Sequence, residues 1–519
     1  MSKQKCLFTK QLVFFITFTI MPRVLRFFHP RVNLEDSSYL DAISCMSRGE
    51  KPHVDFVYTH IPFPEILITL LYKLFGTAYR ITEIFSAVAV TVTALLIFVV
   101  GDRIKSKRAG IISALFYAWH PLIFNYHLFE KEIYEALFAC LLGVLFLGVG
   151  KPSLEKNVSK APSKTFIDRE VFEIAGLLFL GYLTKLDFSF LVGGILLYLA
   201  LVEKEFVRAV VIFFIFNLLV TLHTILSFHF FGWEFLRQIY LFHFLKGSET
   251  SQGIKLLKWL MGGGYLFVPA VFSFLFLKNI SSRQRWYLIS WTLAPLLFFS
   301  VVTDTLWFHN VINLLPPLSV LAGVYVDEVI GFFRTNSIIP HENVLGKNKG
   351  IRYLILFSLV LWAIAVFLYI MWLGKINFGF QGTPRREIES VSKIVEKKVA
   401  PDALIIAPAI ISAQTNRKEL LHNREVAPVY RLVMKRVEEI GFIYARKEIS
   451  AVHFRVLSEK TRHLWVEEIN EKIATASVPL VVGELVPNYY SFNPNAEYMK
   501  SYGYREVYRG CHYVVWLKE

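Results

Sequence analysis

The sequence predicts an α-helical polytopic membrane protein with a C-terminal soluble α/β domain, and three observations carry that reading. Of 519 residues, 55% are hydrophobic and only 19% charged, with a mean hydropathy of +0.47, well above an ordinary soluble domain. Several apolar runs approach or exceed the roughly 18 to 20 residues needed to cross a bilayer about 30 Å thick. The clearest are Ile81 to Val100, Ile133 to Gly150, Val207 to Phe231 and Tyr353 to Leu373. After Gly374 the composition changes to shorter apolar runs mixed with charge.

A net charge of +15 suits a nucleic-acid binder only if Lys and Arg gather on one soluble surface. Here they fall mostly in short loops between apolar runs, where they set orientation in a membrane, so nucleic acid is set aside as a partner. Lys3, Lys5 and Lys10 precede the first span and place the N-terminus in the cytoplasm. The opening "MSKQKCLFTKQLVFFITFTIM" lacks the small-x-small cleavage site of a signal peptide and reads as an uncleaved first span. Arg23 and Arg26 near its outer end snorkel to headgroups or meet a lipid phosphate.

Residues 29–79 then form an outer loop. Ile81 to Val100 returns to the basic turn "GDRIKSKRAG", Ile111 to Phe129 leads out to the acidic connection "FEKEIYE", and Ile133 to Gly150 comes back to "KPSLEKNVSKAPSK". Val171 to Lys185, Phe188 to Val202 and Val207 to Phe231 continue the alternation, and a long outer loop from Gly232 follows. Tyr265 to Leu277, Trp286 to Val302, Asn310 to Val329 and Tyr353 to Leu373 complete about eleven spans. The sequons at Asn157 and Asn279 fall in inside loops and are expected to stay unmodified. An odd number of spans puts residues 376–519 outside, on the side of the first loop. There "REIESVSKIVEKKV" and "TRHLWVEEINEKIA" have helical spacing, while "ALIIAP" and "VPLVVGEL" read as short buried strands. The four cysteines are scattered and lack metal-ligand spacing, although a Cys45 to Cys511 bridge outside the cell stays open.

With this topology in a plasma membrane, Glu35, Asp36, Asp55, His60, Glu130, Glu132, Glu135, Lys185 and His309 all lie at or near outer membrane ends. An ionisable group at bilayer depth costs about 3 kcal/mol or more and usually faces a cavity or water. A polar cavity opening at the outer face is therefore predicted.

The first loop carries, in order, Glu35-Asp36, Tyr39, Ala42, Gly49-Glu50-Lys51-Pro52, Asp55-Phe56, His60-Ile61-Pro62 and Phe75-Gly76. This series resembles the first outer loop of the GT-C glycosyltransferases that use a polyprenyl-phosphate sugar, the group holding protein O-mannosyltransferases and lipid A aminoarabinose transferases. The likeness extends through Arg80, "WHP" at Trp119 to Pro121, "LTKLD" around Lys185 and "FHNVINLLPPLSVLAG", and so covers most of the membrane part. Two features depart from the pattern. The acidic pair runs Glu-Asp where the group usually has Asp-Glu, and Ile61 stands for the middle proline of His-Pro-Pro.

The resemblance implies a GT-C fold and displacement at an anomeric carbon with inversion: an acceptor hydroxyl loses its proton as it attacks, and the lipid phosphate leaves. A carboxylate within hydrogen-bond reach takes that proton, which is typically worth about 10² to 10⁴-fold. Glu35 is the first candidate for this base and Asp36 the second. The leaving phosphate needs cations or a metal, for which Lys185, His60, His53 and Arg80 are candidates by position, with Asp55 in the same loop motif. Arg237, in the aromatic-rich "FGWEFLRQIYLFHFLKG", is a candidate for the lipid phosphate together with Trp233, His243 and Lys246. Glu132 matches the group's acid between the third and fourth spans. It would orient the acceptor or, with Glu35, Asp36 or His60, hold a divalent cation; no metal is assigned. The partners implied are a polyprenyl (dolichyl-type) phosphate sugar, a protein, lipid or glycan acceptor, and membrane lipids.

Each candidate also has a plainer reading. Glu35 and Asp36 suit the cap of a helix starting near Ser37, and Lys185 beside Asp187 suits an interfacial ion pair. Glu130 and Glu135 suit a solvated face and an intramembrane pair. His120, His127 and His309 suit interfacial packing, and the segment around Arg237 an interfacial amphipathic helix. Two other functions compete: a secondary transporter, which calls for repeats and broken helices at the bilayer midplane, and a non-catalytic envelope assembly protein working through its outer domain. The sequence shows no evident repeat, and its acids cluster towards the outer side, which favours the transferase.

Overall fold

A computed structural model of the chain describes residues 17–25, 31–32, 37–76, 79–125, 131–147, 168–245, 256, 264–302, 308–338, 349–376, 383–420, 426–449, 454–475, 477–485 and 492–519. The chain folds as two compact units. One comprises Met1–Phe27, Ala87–Leu222 and Ser251–Phe378; the other comprises Phe28–Ser86, His223–Thr250 and Gly379–Glu519.

The first unit is helical, as long apolar runs must be where no water is at hand to satisfy the backbone. Four of the predicted crossings fall on helices among the described residues. Ile81 to Val100 lies within Tyr79–Ile104, Ile133 to Gly150 begins in Lys131–Phe146, Val171 to Lys185 coincides with Arg169–Thr184, and Tyr353 to Leu373 lies in Lys349–Ile376. Among the described residues three helices are long and apolar enough to cross a membrane: Arg80–Ile104, Phe206–Phe231 and His309–Arg334. The run Ile111 to Phe129 is interrupted. Helix Lys107–Ala118 stops at Trp119 and a short helix, Pro121–Asn125, takes over, because the residue before a proline avoids the helical region and proline fits a first helical position.

Helix starts in this unit carry local signals. Ser106 caps Lys107–Ala118 by accepting from the Ala109 N–H, Asp168 caps Arg169–Thr184 through the Val171 N–H, and Ser281 with Gln284 forms a capping box before Ser282–Leu297. The basic turn meets carboxylates on helix Leu315–Ile338. Arg108 pairs with Asp327, Ser106 donates to Asp327 at 3.0 Å, and Lys105 reaches Glu328 at 2.5 Å. Asn279, of the second sequon, donates to the same Glu328 at 3.1 Å. The helices Lys107–Ala118 and Leu315–Ile338 approach closely at Gly323, where a Cβ would stand 2.6 Å from the Ala109 carbonyl oxygen; small residues permit such contacts between apolar helices.

The second unit holds the sheets. Arg31–Val32 pairs antiparallel with Thr383–Pro384, Leu404–Ile405 pairs parallel with Lys418–Glu419, and Leu480–Glu484 and Tyr504–Arg509 flank Tyr513–Lys518 on either side, both antiparallel. The two predicted strands are thus present, and so are the predicted helices, as Arg385–Lys398 and Phe454–Ala474. Trp465, Ile469, Ile473, Val481, Met499, Tyr504 and Trp516 form the core between sheet and helix. Arg48 of the first loop donates to the Arg417 carbonyl at 3.2 Å, and half-buried Arg385 pairs with Glu83, near the start of helix Tyr79–Ile104, at 2.6 Å.

Cys45 and Cys511 are both free thiols, Cys45 buried and Cys511 exposed. No bridge joins them, which removes the alternative left open above. Burial, and then the neighbouring Asp41, push the Cys45 thiol well above the ordinary cysteine range, and the thiolate is the reactive form. Maleimide treatment of the folded protein near pH 8, followed by peptide mass mapping, is therefore expected to modify Cys511 and leave Cys45 intact. Modification of Cys45 at the rate of Cys511 would contradict the burial.

Candidate active site

The polar residues that the sequence places in apolar surroundings converge in the first unit. Helix Lys131–Phe146 opens on "KEIYE", so Glu132 sits in the first turn, where the helix dipole favours an acid, and the spacing of three puts Glu135 on the same face. Helix Arg169–Thr184 ends as Lys185 turns extended, with φ −161° and ψ 142°, and a 3₁₀ turn Leu186–Phe188 follows. A second 3₁₀ run, Phe308–Leu314, supplies His309, Asn310 and Asn313.

The geometry is a closed network around two fully buried carboxylates, Glu132 and Glu135. Lys185, itself buried, is bound to Glu132 and lies 3.2 Å from Asp187. His309 Nε2 is 3.5 Å from the same Glu132 oxygen. Asn310 donates to Glu132 and to Asp187, each at 3.4 Å, and Asn313 donates to Glu135 at 2.8 Å. Among the described residues, Glu132 Oε2 and Glu135 Oε1 are buried with no hydrogen-bond partner. An ammonium carries three donors, two of which point at carboxylates here. His309 thus sits against an acid rather than in apolar packing. Asn310 and Asn313 join the cluster without a motif to announce them; their signal in the sequence is the pair of amides in "FHNVINLL", a polar stripe entering an apolar run.

The other candidates lie in the second unit. Gln238 organises the first loop: its carbonyl accepts from the Tyr58 N–H at 2.8 Å and lies 3.3 Å from His53 Nδ1, and its amide donates to the His53 carbonyl at 3.1 Å. His60 is surrounded by rings, with centroids 5.9 Å from Tyr39, 5.9 Å from Tyr58 and 5.6 Å from His243. Tyr58 donates to the buried Glu65 at 2.5 Å; burial, then the Glu65 charge, hold its phenol well above the usual tyrosine range. Asp55 is exposed and accepts from the Lys51 N–H at 2.6 Å. Arg80 makes an exposed pair with Glu389 at 3.3 Å, and Arg237 pairs with Glu234 at 3.2 Å and Glu438 at 3.6 Å. Glu35, Asp36, Glu130, His127 and Lys246 lie outside the described residues; helix Ser37–Ser47 begins directly after the acidic pair in sequence.

Of the sequence-predicted residues, then, Glu132 and Lys185 are joined directly, while Asp55, His60, Arg80 and Arg237 each have separate partners. Among the described residues no three His, Cys, Asp or Glu side chains are placed to hold a metal ion, and the Glu132 oxygen that faces the cluster is committed to Lys185, so no step is assigned to a metal.

No family model matches the sequence, and no curated protein does either. Solved structures do. The aminoarabinose transferase ArnT from Cupriavidus metallidurans, bound to undecaprenyl phosphate, superposes with a TM-score of 0.59 at 14% identity over 98% of both chains. The oligosaccharyltransferase AglB from Archaeoglobus fulgidus, in complex with an inhibitory peptide and a dolichol-phosphate, gives 0.52 at 13% identity over 93% of this chain and 70% of that one. An Archaeoglobus fulgidus oligosaccharyltransferase tethered to an acceptor peptide with an NVT sequon gives 0.50 at 13% identity, over 91% and 68%. Both kinds of neighbour are GT-C proteins, and at these identities the likeness is one of fold. The chain therefore has the fold of the GT-C glycosyltransferases that the residues of its first loop led us to expect.

Proposed function

We propose that the chain is a membrane glycosyltransferase moving a sugar from a polyprenyl (dolichyl-type) phosphate to a protein, lipid or glycan acceptor on the outer face of the plasma membrane, with inversion. The observation that carries this is the cluster of Lys185, Asp187, His309 and Asn310 around the buried Glu132 in a chain of GT-C fold. An ion pair this deep in an apolar helical unit costs desolvation, so a purely structural role is a poor use of it. The fold neighbours, whose structures hold undecaprenyl phosphate and dolichol-phosphate, support a lipid phosphate as the donor's leaving group.

In this reading residues 1–375 span the membrane about eleven times, with the N-terminus cytoplasmic, and residues 376–519 lie outside with loop 29–79. Glu35, or Asp36 beside it, takes the proton from the acceptor hydroxyl as the new C–O bond forms. Lys185 stabilises the phosphate as the anomeric C–O bond breaks, using the ammonium proton not directed at Glu132 or Asp187, and Glu132 keeps it charged and aimed. His60, Arg80, Arg237 and Asp55 would shape the donor and acceptor positions. The C-terminal part would bind the acceptor or shape the cavity.

The test is sugar transfer by the purified protein in lipid nanodiscs, supplied with polyprenyl-phosphate sugars and a membrane extract as acceptor source. Transfer that depends on the lipid-linked donor and yields the inverted anomer is the expected result. Absence of transfer with every donor, together with solute uptake into vesicles, would overturn it in favour of a transporter.

A further inference from the structure

Helix Ala427–Ile440 and helix Phe442–Ile449 meet at Gly441, whose φ of 78° makes the sharp turn between them. The second helix buries Ala445 and Ile449 in a cluster with Phe242, Leu245, Val429 and Val433. Its other side leaves Ile443 78% and Tyr444 70% exposed, next to the partly bare Phe442 and Leu432. Single apolar side chains at a surface need no explanation, whereas a contiguous patch does. Around this one stand Arg431, Lys435, Arg446 and Lys447, all exposed. Residues 427–449 hold five basic and three acidic side chains, and two of the acids, Glu439 and Glu448, are taken by Arg436 at 2.9 Å each.

The same cluster joins the patch to the end of an apolar helix. Phe242 and Leu245 belong to the short helical run that begins at Trp233, directly after helix Phe206–Phe231, one of the three apolar enough to cross a bilayer. At the end of that helix Phe228 and Phe230 are exposed, and Trp233, 68% exposed, stands edge-on to Phe228 at 5.1 Å. Bare aromatics at the end of an apolar helix mark the depth of the membrane interface. From residue 223 onward these elements belong to one compact unit with the patch.

We propose that helix Phe442–Ile449 is a membrane-surface anchor: Ile443 and Tyr444 enter the headgroup region of an anionic leaflet, and Lys435, Arg446 and Lys447 contact lipid phosphates. Basic rims around aromatic and aliphatic tips are the chemistry of interfacial binding, and each Lys or Arg near an anionic surface contributes a factor of roughly five. The anchor holds the C-terminal part of the chain against the bilayer, whatever reaction the protein performs.

The experiment uses the full chain in nanodiscs, with Cys6→Ser and Cys511→Ser and a single added thiol, Ile443→Cys or, as a second variant, Tyr444→Cys, carrying an environment-sensitive fluorophore. Glu471→Cys, exposed on helix Phe454–Ala474, is the comparison. In phosphatidylglycerol-containing discs, lipids with a nitroxide high on the acyl chain are expected to quench the probe at 443 or 444 and leave the probe at 471 bright. A water-soluble quencher should give the opposite order. Replacing Lys435, Arg446 and Lys447 with Gln, or omitting phosphatidylglycerol, should reduce the lipid quenching several-fold. Equal quenching of all sites by the water-soluble agent would overturn the anchor. So would a signal that changes only with protein density, which would make the patch a contact between copies.

Discussion

A Lys185→Met variant is expected to lose sugar transfer and to lose stability with it. Its ammonium is the cation bound to Glu132, which is fully buried, and removing one partner of a buried pair leaves an uncompensated charge at a cost of about 3 to 5 kcal/mol. Asp187 is less affected because its side chain is 30% exposed and reaches water. The double variant Lys185→Met with Glu132→Gln removes both charges, and thermal unfolding in detergent should show most of the lost stability restored. Transfer should stay absent, since the cation proposed to meet the leaving phosphate is still missing. A well-folded double variant that transfers sugar at the wild-type rate would end the assignment of Lys185 and leave the pair a structural one.

The second large effect is expected at Glu35. If its carboxylate accepts the acceptor's proton, Glu35→Gln should slow transfer by about 10² to 10⁴-fold with donor binding retained, while Asp36→Asn has the smaller effect. The choice of amides separates the two readings of the acidic pair. Helix Ser37–Ser47 begins directly after Asp36 in sequence, and Asn caps a helix as well as Asp does, so Asp36→Asn keeps a cap while removing a base. Initial rates with one defined lipid-linked donor, alongside a melting curve for each variant, decide the matter. Unchanged rates in both variants would place the base elsewhere.

How much of this was visible in the residue order follows from what kind of information each feature needs. The helices were legible because length and hydropathy in a bilayer leave the backbone little choice. The interruption at Trp119 to Pro121 is written locally in the proline, against the continuity of the apolar run around it. Glu132 and Lys185 stood out as charges among Leu and Phe, but 53 residues separate them, and only packing of the helices that carry them makes them one group. Asn310 and Asn313 stayed hidden because a neutral amide in a helix end is unremarkable until a carboxylate is found opposite. In the C-terminal part, Leu480–Glu484 was readable as an unbroken buried run. The hairpin strand Tyr504–Arg509 buries Tyr504 but otherwise mixes exposed arginines with partly buried positions, a pattern with no comparable signal. The separate Cys45 and Cys511 likewise show that compartment and count do not decide a pairing that burial decides.

The ties between the basic turn and helix Leu315–Ile338 bear on how the protein is made. Arg108 and its partner Asp327 are 219 positions apart, so the acid leaves the ribosome roughly 10 to 40 s after the base. In the proposed topology the turn presents its full positive charge during that interval, which is when basic loops decide the direction of insertion. Once Asp327 and Glu328 arrive, two of those charges, Arg108 and Lys105, are paired and become joints between an early helix and a late one. In the proposed topology, part of the mark that orients the nascent chain is in this way consumed by the finished protein.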